Sequence, residues 1–440
     1  MCSIVEDDFG DDGGAHAMTE DPKINGFDGE TCRKCNAAPS VIKLDCKEST
    51  CMSCFLLYVQ HKFKAALGST KVVRRHSKVL LHFTGSMPCV SLMDMIRLGF
   101  EQESYKRLCF DVDLVYVDEH CVDKDGQDVG KRLEKIHEVK SVLEQFPNFR
   151  CYYTTIARKK DEELKRIQEI IAEDVEAVLI EEKKFLATFK ALQSLSSKQD
   201  LFAVTRNDVL RHTATFLNCQ YVFLSDIALV LATRLLSNMS LGRGSSTAND
   251  VAFCDDRIES VKFVRPIRDL NKVEVVNYVK FLNLKFVDAV NYGDDHGQFA
   301  SIQNLTSNFI NGLQQNFSST VSTVYRTCSK IAPGNIALEV EGNLSENISR
   351  NLKISNVNQR CAMCKSYLDY HSSETLFAIE FSRIVAETAG KDDYLNDLKE
   401  TENKAAHAVN GEKSEVKKHL CHGCRNIFIG MEDDELSEFF

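Results

Sequence analysis

The sequence contains no run of 18 apolar residues, which excludes a transmembrane helix. Its first residues are acidic instead of basic and apolar, so we expect no secretory signal peptide. Internal repeats are also absent. These absences favour a reducing compartment, where cysteines rarely form disulfides. The 17 cysteines are therefore expected to bind metal or to pack in a core.

Length and charge limit the possible architectures. A chain of 440 residues is too long for one ordinary core and predicts two or three folded units. Residues 1–30 hold nine acids and one base, and residues 431–440 hold five acids and no base. The net charge of −10 therefore leaves +3 on the remaining body. We expect disordered acidic ends, and the body charge is compatible with an anionic partner such as RNA.

Paired cysteines are the strongest chemical signal. The N-terminal set has the spacing C-x2-C-x15-C-x2-C, which is typical of a structural zinc site closed by four thiolates. The C-terminal set has two C-x2-C pairs that are 56 residues apart, which weakens their pairing. Cys46 could replace Cys51, and His419 or His422 could replace a C-terminal cysteine, but the spacing disfavours both. The predicted ligands are Cys32, Cys35, Cys51 and Cys54, and Cys361, Cys364, Cys421 and Cys424.

Strand and helix patterns alternate between the cysteine sets. Apolar runs predict strands at 79–83, 113–118, 151–156, 221–224 and 262–266, and helical spacing predicts helices at 55–67, 90–100, 131–146, 204–217, 226–237, 273–281 and 299–328. We interpret 157–200 as a charged helical insertion, 242–246 as a mobile loop and 385–419 as a long loop. The alternation predicts a doubly wound parallel sheet.

The turn that follows the first predicted strand of the sheet is the natural ligand site. In open α/β sheets, ligands bind at the carboxyl ends of strands, where helix N-termini offer free N–H groups. Thr84, Gly85 and Ser86 occupy this turn. A plain connection between strand and helix is the alternative, and Pro88 suits helix entry in either case.

Several segments together resemble a known family. Residues 79–95 resemble the pyrophosphate loop (PP-loop) of ATP-dependent tRNA-modifying enzymes, S-G-G-x-D-S after an apolar strand, and V-D-E at 117–119 resembles the end of that family's second strand. The segments S-L-G-R-G at 240–244, R-P-I-R-D at 265–269 and Q-N-L-T at 303–306, with both cysteine sets, resemble the cytoplasmic tRNA 2-thiolation protein 2 family. That family is the non-identical partner of the cytoplasmic tRNA thiolase.

The resemblance implies an α/β, PP-loop-like doubly wound parallel sheet with N- and C-terminal zinc-binding cysteine elements. The expected divisions are an acidic tail at 1–30, a zinc element with a helix at 31–70, the PP-loop-like domain at 71–285, a helical region with the second zinc element at 286–430, and an acidic tail at 431–440. It further implies a cytoplasmic subunit needed for 2-thiolation of the tRNA wobble uridine. The implied partners are the catalytic thiolase in a heterodimer, tRNA and a ubiquitin-like sulfur carrier, with no membrane.

Departures from the family pattern suggest a subunit without catalytic activity. The resemblance assigns nucleotide contacts to Thr84, Gly85, Ser86 and Asp118, but Ser86 replaces the second glycine and Pro88 the acidic position, which puts ATP binding in doubt. No CxxC pair lies between Cys89 and Cys254, and S-D-I-A at 225–228 stands where catalytic relatives show G-H-x-x-D-D. The alternatives are an ATP-dependent tRNA sulfurtransferase in its own right and a zinc-stabilised interaction protein without an RNA role.

Basic residues supply candidate RNA contacts. The candidates are Arg74 and Arg75, in a basic stretch with Lys71 and Lys78, and Arg243, Arg265 and Arg268, in the segments that carry the resemblance. A second basic cluster lies at 158–166. Such residues add affinity through phosphates without reading sequence. The alternatives are solvated faces for the clusters and local ion pairing for the three arginines, with Asp269 as an obvious partner.

Overall fold

The computed structural model describes residues 31–43, 49–103, 107–123, 125–158, 164–288, 292–316, 360–368 and 419–431, together with 321, 323, 324, 326 and 327. The described residues up to Leu56 form one compact unit, and those from Leu57 onward form a second. Residues 1–30 and 432–440 of the acidic ends lie outside these residues, as do Cys46, Lys159, Lys160 and nearly all of the expected loop at 385–419. The five-part division of the chain stays a prediction.

A small hairpin and a tight turn make up the first unit. Strand β1 (Ile42–Lys43) pairs antiparallel with β2 (Ser49–Thr50), and Ile42 lies opposite Thr50. Before them, the N–H of Asn36 donates to the carbonyl of Cys32 at 2.7 Å, and Asn36 adopts a φ of 52°. The chain therefore turns sharply between Cys32 and Cys35. Helix α1 (Met52–Thr70) follows β2 and begins three residues before its predicted start.

A six-stranded sheet organises the second unit. Its strands are β3 (Lys78–His82), β4 (Asp111–Asp118), β5 (Arg150–Thr155), β6 (Tyr221–Phe223), β7 (Cys254–Asp255) and β8 (Lys262–Val264). Their order is β5-β4-β3-β6-β8-β7, and every described pairing is parallel except that of β7 with β8. Because β3 runs between β4 and β6, the order extends in both directions from the first strand. The predicted doubly wound α/β sheet is confirmed.

The apolar runs form the centre of this sheet. Leu81 of β3 lies opposite Leu114 on one side and Phe223 on the other, and all three side chains are fully buried. Near-continuous apolar sequence is typical of parallel strands that are covered on both faces. This explains why the strands at 79–83, 113–118 and 151–156 were identifiable from the sequence.

Helices lie between the strands of this sheet and also follow the last of them. They are α2 (Met87–Phe100), α3 (Val129–Leu143), α4 (Ala172–Ala191), α5 (Leu195–Phe216), α6 (Ala228–Ser240), α7 (Gly244–Val251), α8 (Lys272–Leu282), α9 (Ile302–Asn316) and α10 (His422–Ile427). A capping box starts α8, where Asn271 Oδ1 accepts the N–H of Glu274 and Glu274 Oε2 accepts the N–H of Asn271. Within the described ranges, no helix has the length and apolar character needed to span a bilayer.

The prediction of a mobile loop at 242–246 is wrong, because α7 begins at Gly244. The carbonyl of Arg243 accepts the N–H groups of Ser246 and Thr247 at 3.0 and 3.1 Å, and it also accepts the hydroxyl of Thr247 at 2.7 Å. Ser and Thr side chains therefore support the first helical turn here, although their abundance in the sequence resembles that of a loop.

A buried ionic network anchors the end of β4. Arg132 on α3 is 1% exposed, and its Nε and Nη2 lie 3.1 and 2.7 Å from Asp118 Oδ2. Its Nη1 lies 2.6 Å from Oε2 of Glu182 on α4. The hydroxyl of Tyr153 donates to the same Asp118 oxygen at 2.7 Å. One guanidinium thus joins β4, α3 and α4 while compensating two fully buried carboxylates.

We expect Arg132→Met to lower the free energy of unfolding by about 3–5 kcal/mol, because Asp118 and Glu182 would remain buried without a counter-charge. Lys131→Met is the matched control on the same helix, since Lys131 pairs with Asp125 at 2.7 Å in an exposed ion pair. The control should lose no more than about 1 kcal/mol. Urea unfolding measures both values, and equal losses would contradict the role of Arg132.

Candidate functional site

The turn after β3 contains the predicted phosphate-binding residues. Gly85 has a φ of 72°, a conformation that favours glycine, and its carbonyl accepts the N–H of Val287 at 2.9 Å. The hydroxyls of Thr84 and Ser86 are 2.8 Å apart and hydrogen-bond to each other. Pro88 occupies the first turn of α2, where it offers no N–H. The turn is therefore stabilised by contacts within the chain itself.

Asp118, the other predicted nucleotide contact, is fully buried at the end of β4. Its Oδ2 is held by Arg132 and Tyr153, and its Oδ1 accepts the N–H of His120 at 3.0 Å. Both oxygens already have partners inside the protein. The neighbouring Glu119 faces a different group, the guanidinium of Arg206 on α5, whose Nη2 lies 2.6 Å from Glu119 Oε2.

A cavity of about 570 Å³ opens beside these residues at the carboxyl ends of β3 and β4. Aromatic side chains and titratable groups line it, and acids outnumber cations. The carboxylates are Glu119, Asp123, Glu138, Asp288 and Asp295, and the cations are Lys135 and Arg206. An acidic lining of this kind repels a polyphosphate.

His82 is the last residue of β3 and lines the same cavity. Burial lowers the pKa of His82 to about 3, and the positive charge of Arg206 lowers it further in the same direction. The imidazole is therefore neutral at physiological pH. It adds no positive charge for an anionic ligand.

Single cysteines of the α/β unit lie mostly in its interior. Burial raises the pKa of Cys89, Cys219 and Cys254 to about 11, and it also raises the pKa values of Cys121 and Cys151. A thiol of this kind is protonated at neutral pH, whereas the thiolate is the reactive form. These positions fit the structural role that the sequence favoured for isolated cysteines.

The first unit brings together the four N-terminal cysteines of the prediction. The sulfur atoms of Cys32, Cys35, Cys51 and Cys54 all lie within 4.8 Å of one another, and those of Cys35 and Cys51 are 3.8 Å apart. Tetrahedral Zn–S bonds of about 2.3 Å require sulfur separations of about 3.8 Å. The backbone N–H of Cys51, with those of Cys35 and Lys34, lowers the pKa of Cys32 to about 6 against the effect of burial. This cluster can hold a metal ion.

The C-terminal set also assembles, although 56 residues separate its two pairs in the sequence. The sulfur atoms of Cys361, Cys364, Cys421 and Cys424 lie within 4.8 Å of one another, and those of Cys364 and Cys421 are 3.5 Å apart. Cys361 sits at a turn in which its carbonyl accepts the N–H of Lys365. Cys421 is the N-cap residue of α10, and Cys424 lies in that helix. This second cluster can hold a metal ion too.

Two arginines predicted to bind RNA lie in buried ion pairs. Arg243 pairs with Asp200 at 2.7 Å, and Arg265 pairs with Asp226 at 3.2 Å. Arg268 is buried as well. Local pairing is thus the role that geometry favours for Arg243 and Arg265, but with partners other than the expected Asp269, which pairs with Arg326. Contact of these arginines with tRNA stays a prediction.

Arg74 and Arg75 lie on the surface, in the segment between α1 and β3. Within the described part of the chain, neither guanidinium has an ion-pair partner. Lys78 differs, because its Nζ lies 3.0 Å from Asp113 Oδ2. Arg74 and Arg75 are therefore free to meet an anion, as is the exposed Lys71 of the same basic stretch.

Three side-chain contacts near the site are not predicted by the sequence. They are the pairing of Glu119 with Arg206, the bridge from Arg132 to Glu182, and the hydrogen bond from Arg243 to Cys424. In the last of these, Nη1 of Arg243 lies 3.4 Å from Sγ of Cys424. The partners are 50 to 181 positions apart in the sequence. The only available signal was the L-G-R-G segment, which was interpreted as an RNA contact.

Comparisons with known proteins give one family across the chain. The family model for cytoplasmic tRNA 2-thiolation protein 2 matches residues 301–426. A curated protein of that description from Anopheles gambiae is 44% identical over 443 residues, which cover 97% of this chain and 99% of the relative. Others from Aedes aegypti and Drosophila melanogaster are 40% and 36% identical, and each match covers at least 98% of both chains.

Solved structures with a similar arrangement include the U34-tRNA thiolase NcsA from Methanococcus maripaludis with its [4Fe-4S] cluster. It is 16% identical with a TM-score of 0.49, and the match covers 72% of this chain and 92% of that one. The NMN synthetase from Francisella tularensis is 12% identical with a TM-score of 0.34, and the match covers 64% of this chain and 96% of that one.

The neutral state of His82 predicts a pH effect on stability. Between the ordinary pKa of 6.5 and the folded value of about 3, the unfolded state binds a proton that the folded state does not. Acidification through this window therefore destabilises the protein. We expect His82→Gln to remove this part of the loss, which amounts to up to about 2 kcal/mol between pH 7 and pH 5. Urea unfolding at both pH values measures it, and parallel pH profiles would contradict it.

Proposed function

This chain belongs to the cytoplasmic tRNA 2-thiolation protein 2 family, and on that premise we propose that it is a subunit of the cytoplasmic machinery that 2-thiolates the wobble uridine of tRNA. The near full-length match to curated relatives of that description carries the proposal. We further propose that it pairs with a catalytic thiolase as a heterodimer. In that complex it helps to bind tRNA, while a ubiquitin-like carrier delivers the sulfur.

The carboxyl edge of the sheet supports a role without catalysis. The turn at Thr84–Ser86 is stabilised by its own side chains and by Val287, and Asp118 has internal partners on both oxygens. The adjoining cavity is lined by five carboxylates and two cations. ATP with its magnesium ion needs N–H donors and positive charge at this edge. We infer that the chain does not activate uridine with ATP by itself.

The single cysteines support the same inference. A cysteine that transfers sulfur must reach the substrate and ionise near neutral pH. Cys89, Cys121 and Cys151 are buried, and their pKa values are raised by that burial. The two cysteine clusters use four thiolates each, which closes a tetrahedral site. We therefore assign both clusters to structural zinc.

An exposed pair of arginines fits the RNA-binding role best. Arg74 and Arg75 are exposed, whereas Arg243, Arg265 and Arg268 are buried. A body with a net charge of +3 has little excess positive charge, so we propose that the partner thiolase supplies most of the basic surface. Affinity for tRNA then belongs to the complex more than to either chain.

The zinc assignment predicts about two zinc ions per chain and no iron. Purified protein analysed by inductively coupled plasma mass spectrometry measures both metals. Cys32→Ser and Cys424→Ser should each remove one equivalent, because three ligands hold structural zinc poorly and its binding energy is folding energy. Cys109→Ser is the control outside both clusters and should keep both ions. Iron at either site, or a folded metal-free protein, would contradict the assignment.

Reconstituted thiolation tests the role in the complex. With ATP and a sulfur donor, we expect no 2-thiouridine from this chain alone and full activity only when the catalytic thiolase of the same organism is added. Quantification of modified nucleosides by mass spectrometry gives the result. Activity of this chain alone would establish the sulfurtransferase alternative. Unchanged thiolase activity and no tRNA association would favour the interaction protein without an RNA role.

The double variant Arg74→Glu and Arg75→Glu tests the RNA surface within the same complex. We expect tRNA affinity to fall about tenfold or more at low salt, and the slope of log K against log salt to become shallower by about 1 to 2, as for two lost phosphate contacts. Lys183→Glu with Lys184→Glu makes the same charge change at exposed positions of α4 and serves as the control. Equal effects of both double variants would indicate a general charge effect instead of a contact.

A further inference from the structure

The L-G-R-G segment at 241–244 leads to the C-terminal cysteine cluster. Arg243, 5% exposed, lies between α6 and α7. Its Nε and Nη2 lie 3.1 and 2.7 Å from the same oxygen of Asp200 on α5. Its remaining nitrogen, Nη1, lies 3.4 Å from Sγ of Cys424. One edge of the guanidinium thus donates to the carboxylate of Asp200, and its remaining nitrogen donates to the thiol sulfur of Cys424, a predicted metal ligand.

Two glycines make this approach possible. Gly242 has a φ of 76°, and a Cβ added there would lie 2.6 Å from Cδ2 of His422. A Cβ added at Gly423 would overlap the Cγ of Arg243. Between them, the side-chain N–H of Asn426 donates to the carbonyl of Leu241 at 3.1 Å. The start of α10, which carries Cys421 and Cys424, therefore packs directly against the backbone of this segment.

A charge argument explains why a guanidinium belongs here. Four thiolates and one divalent ion carry a net charge of −2, and Cys361 and Cys424 are fully buried. Burying an uncompensated charge is costly, and an ionised donor makes a stronger hydrogen bond to a thiolate than a neutral one. Groups that hydrogen-bond to metal ligands orient them and commonly change metal affinity by about 10- to 100-fold.

We propose that Arg243 is a positioning residue of the C-terminal metal centre. Residues 241–244 form the surface of the α/β unit against which the cysteine-bearing start of α10 packs. The guanidinium holds Cys424 in place and balances part of the negative charge of the loaded cluster. This role requires that a metal occupies the cluster. It is independent of whether the chain acts in tRNA thiolation.

Metal competition on the full-length, metal-loaded chain tests the proposal. Arg243→Gln removes the charge and should weaken one of the two metal equivalents about 10- to 100-fold against a chromogenic chelator. Arg243→Lys keeps the charge and should restore part of the loss. The N-terminal cluster, in the other compact unit, is the internal control and should keep its equivalent with the affinity of the parent.

Arg132→Met is the control for the loss of a buried arginine. Arg132 is paired as deeply as Arg243 but contacts carboxylates and the carbonyl of Gly126 instead of sulfur. In cobalt-substituted protein, the sulfur-to-cobalt charge-transfer band should shift in Arg243→Gln and stay unchanged in Arg132→Met. A purely structural role for Arg243 would lower stability in both variants and leave this band at its parent position.

Three results would overturn the proposal. The first is a metal affinity of Arg243→Gln equal to that of the parent protein. The second is a loss of metal affinity in Arg132→Met as large as that in Arg243→Gln. The third is an equal loss of metal affinity at the N- and C-terminal clusters of Arg243→Gln. If Arg243→Gln does not fold, Arg243→Lys decides alone. Its single ammonium cannot reproduce the fork that joins Asp200 to Cys424, so parent affinity with the parent cobalt spectrum would reject the role.

Discussion

Buried arginine–carboxylate pairs determine what the carboxyl edge of this sheet can do. Arg132 compensates Asp118 and Glu182, Arg265 pairs with Asp226, and Arg243 pairs with Asp200. Each pair is costly to desolvate and becomes destabilising when one partner is lost, so the positions constrain each other. The pairs also use charges and donors that a sheet of this topology otherwise offers to a ligand. Arg132, Arg243 and Arg265 therefore contribute to stability through carboxylate partners inside the chain.

The turn after β3 shows how contacts within the chain hold this edge of the sheet together. A turn with one glycine and a proline still connects β3 to α2, because Gly85 supplies the positive φ and Pro88 starts the helix. Ser86 needs no phosphate, since its hydroxyl has Thr84 as a partner. The hydroxyls of Thr84 and Ser86 and the carbonyl of Gly85 thus find their hydrogen-bond partners inside the chain. On the surface, Arg74 and Arg75 are exposed and can make contacts outside the chain.

Sequence patterns predict those features that depend on residues close together in the chain. Continuous apolar runs identified β3, β4 and β5, and the C-x2-C pairs identified both sets of four cysteines, although the 56 residues between the C-terminal pairs weakened the second grouping. Helix starts were less accurate, since α5 begins at Leu195 and not near residue 204, and a Ser-rich segment forms α7. The choice of partner for each buried arginine was not predictable. An arginine in sequence looks the same whether it will meet phosphate, carboxylate or sulfur, and only the tertiary fold decides.

The two cysteine clusters differ in what depends on them. Cys32, Cys51 and Cys54 form a small cluster of their own with Ala38 packed against it. Cys361, Cys421 and Cys424 belong instead to the large core that also contains Leu80 of β3 and Val115 of β4. Because packed interiors transmit small displacements, the geometry of the C-terminal centre is tied to that of the central strands. A metal bound at the first cluster would stabilise a short hairpin, whereas a metal bound at the second would stabilise the core of the α/β unit itself.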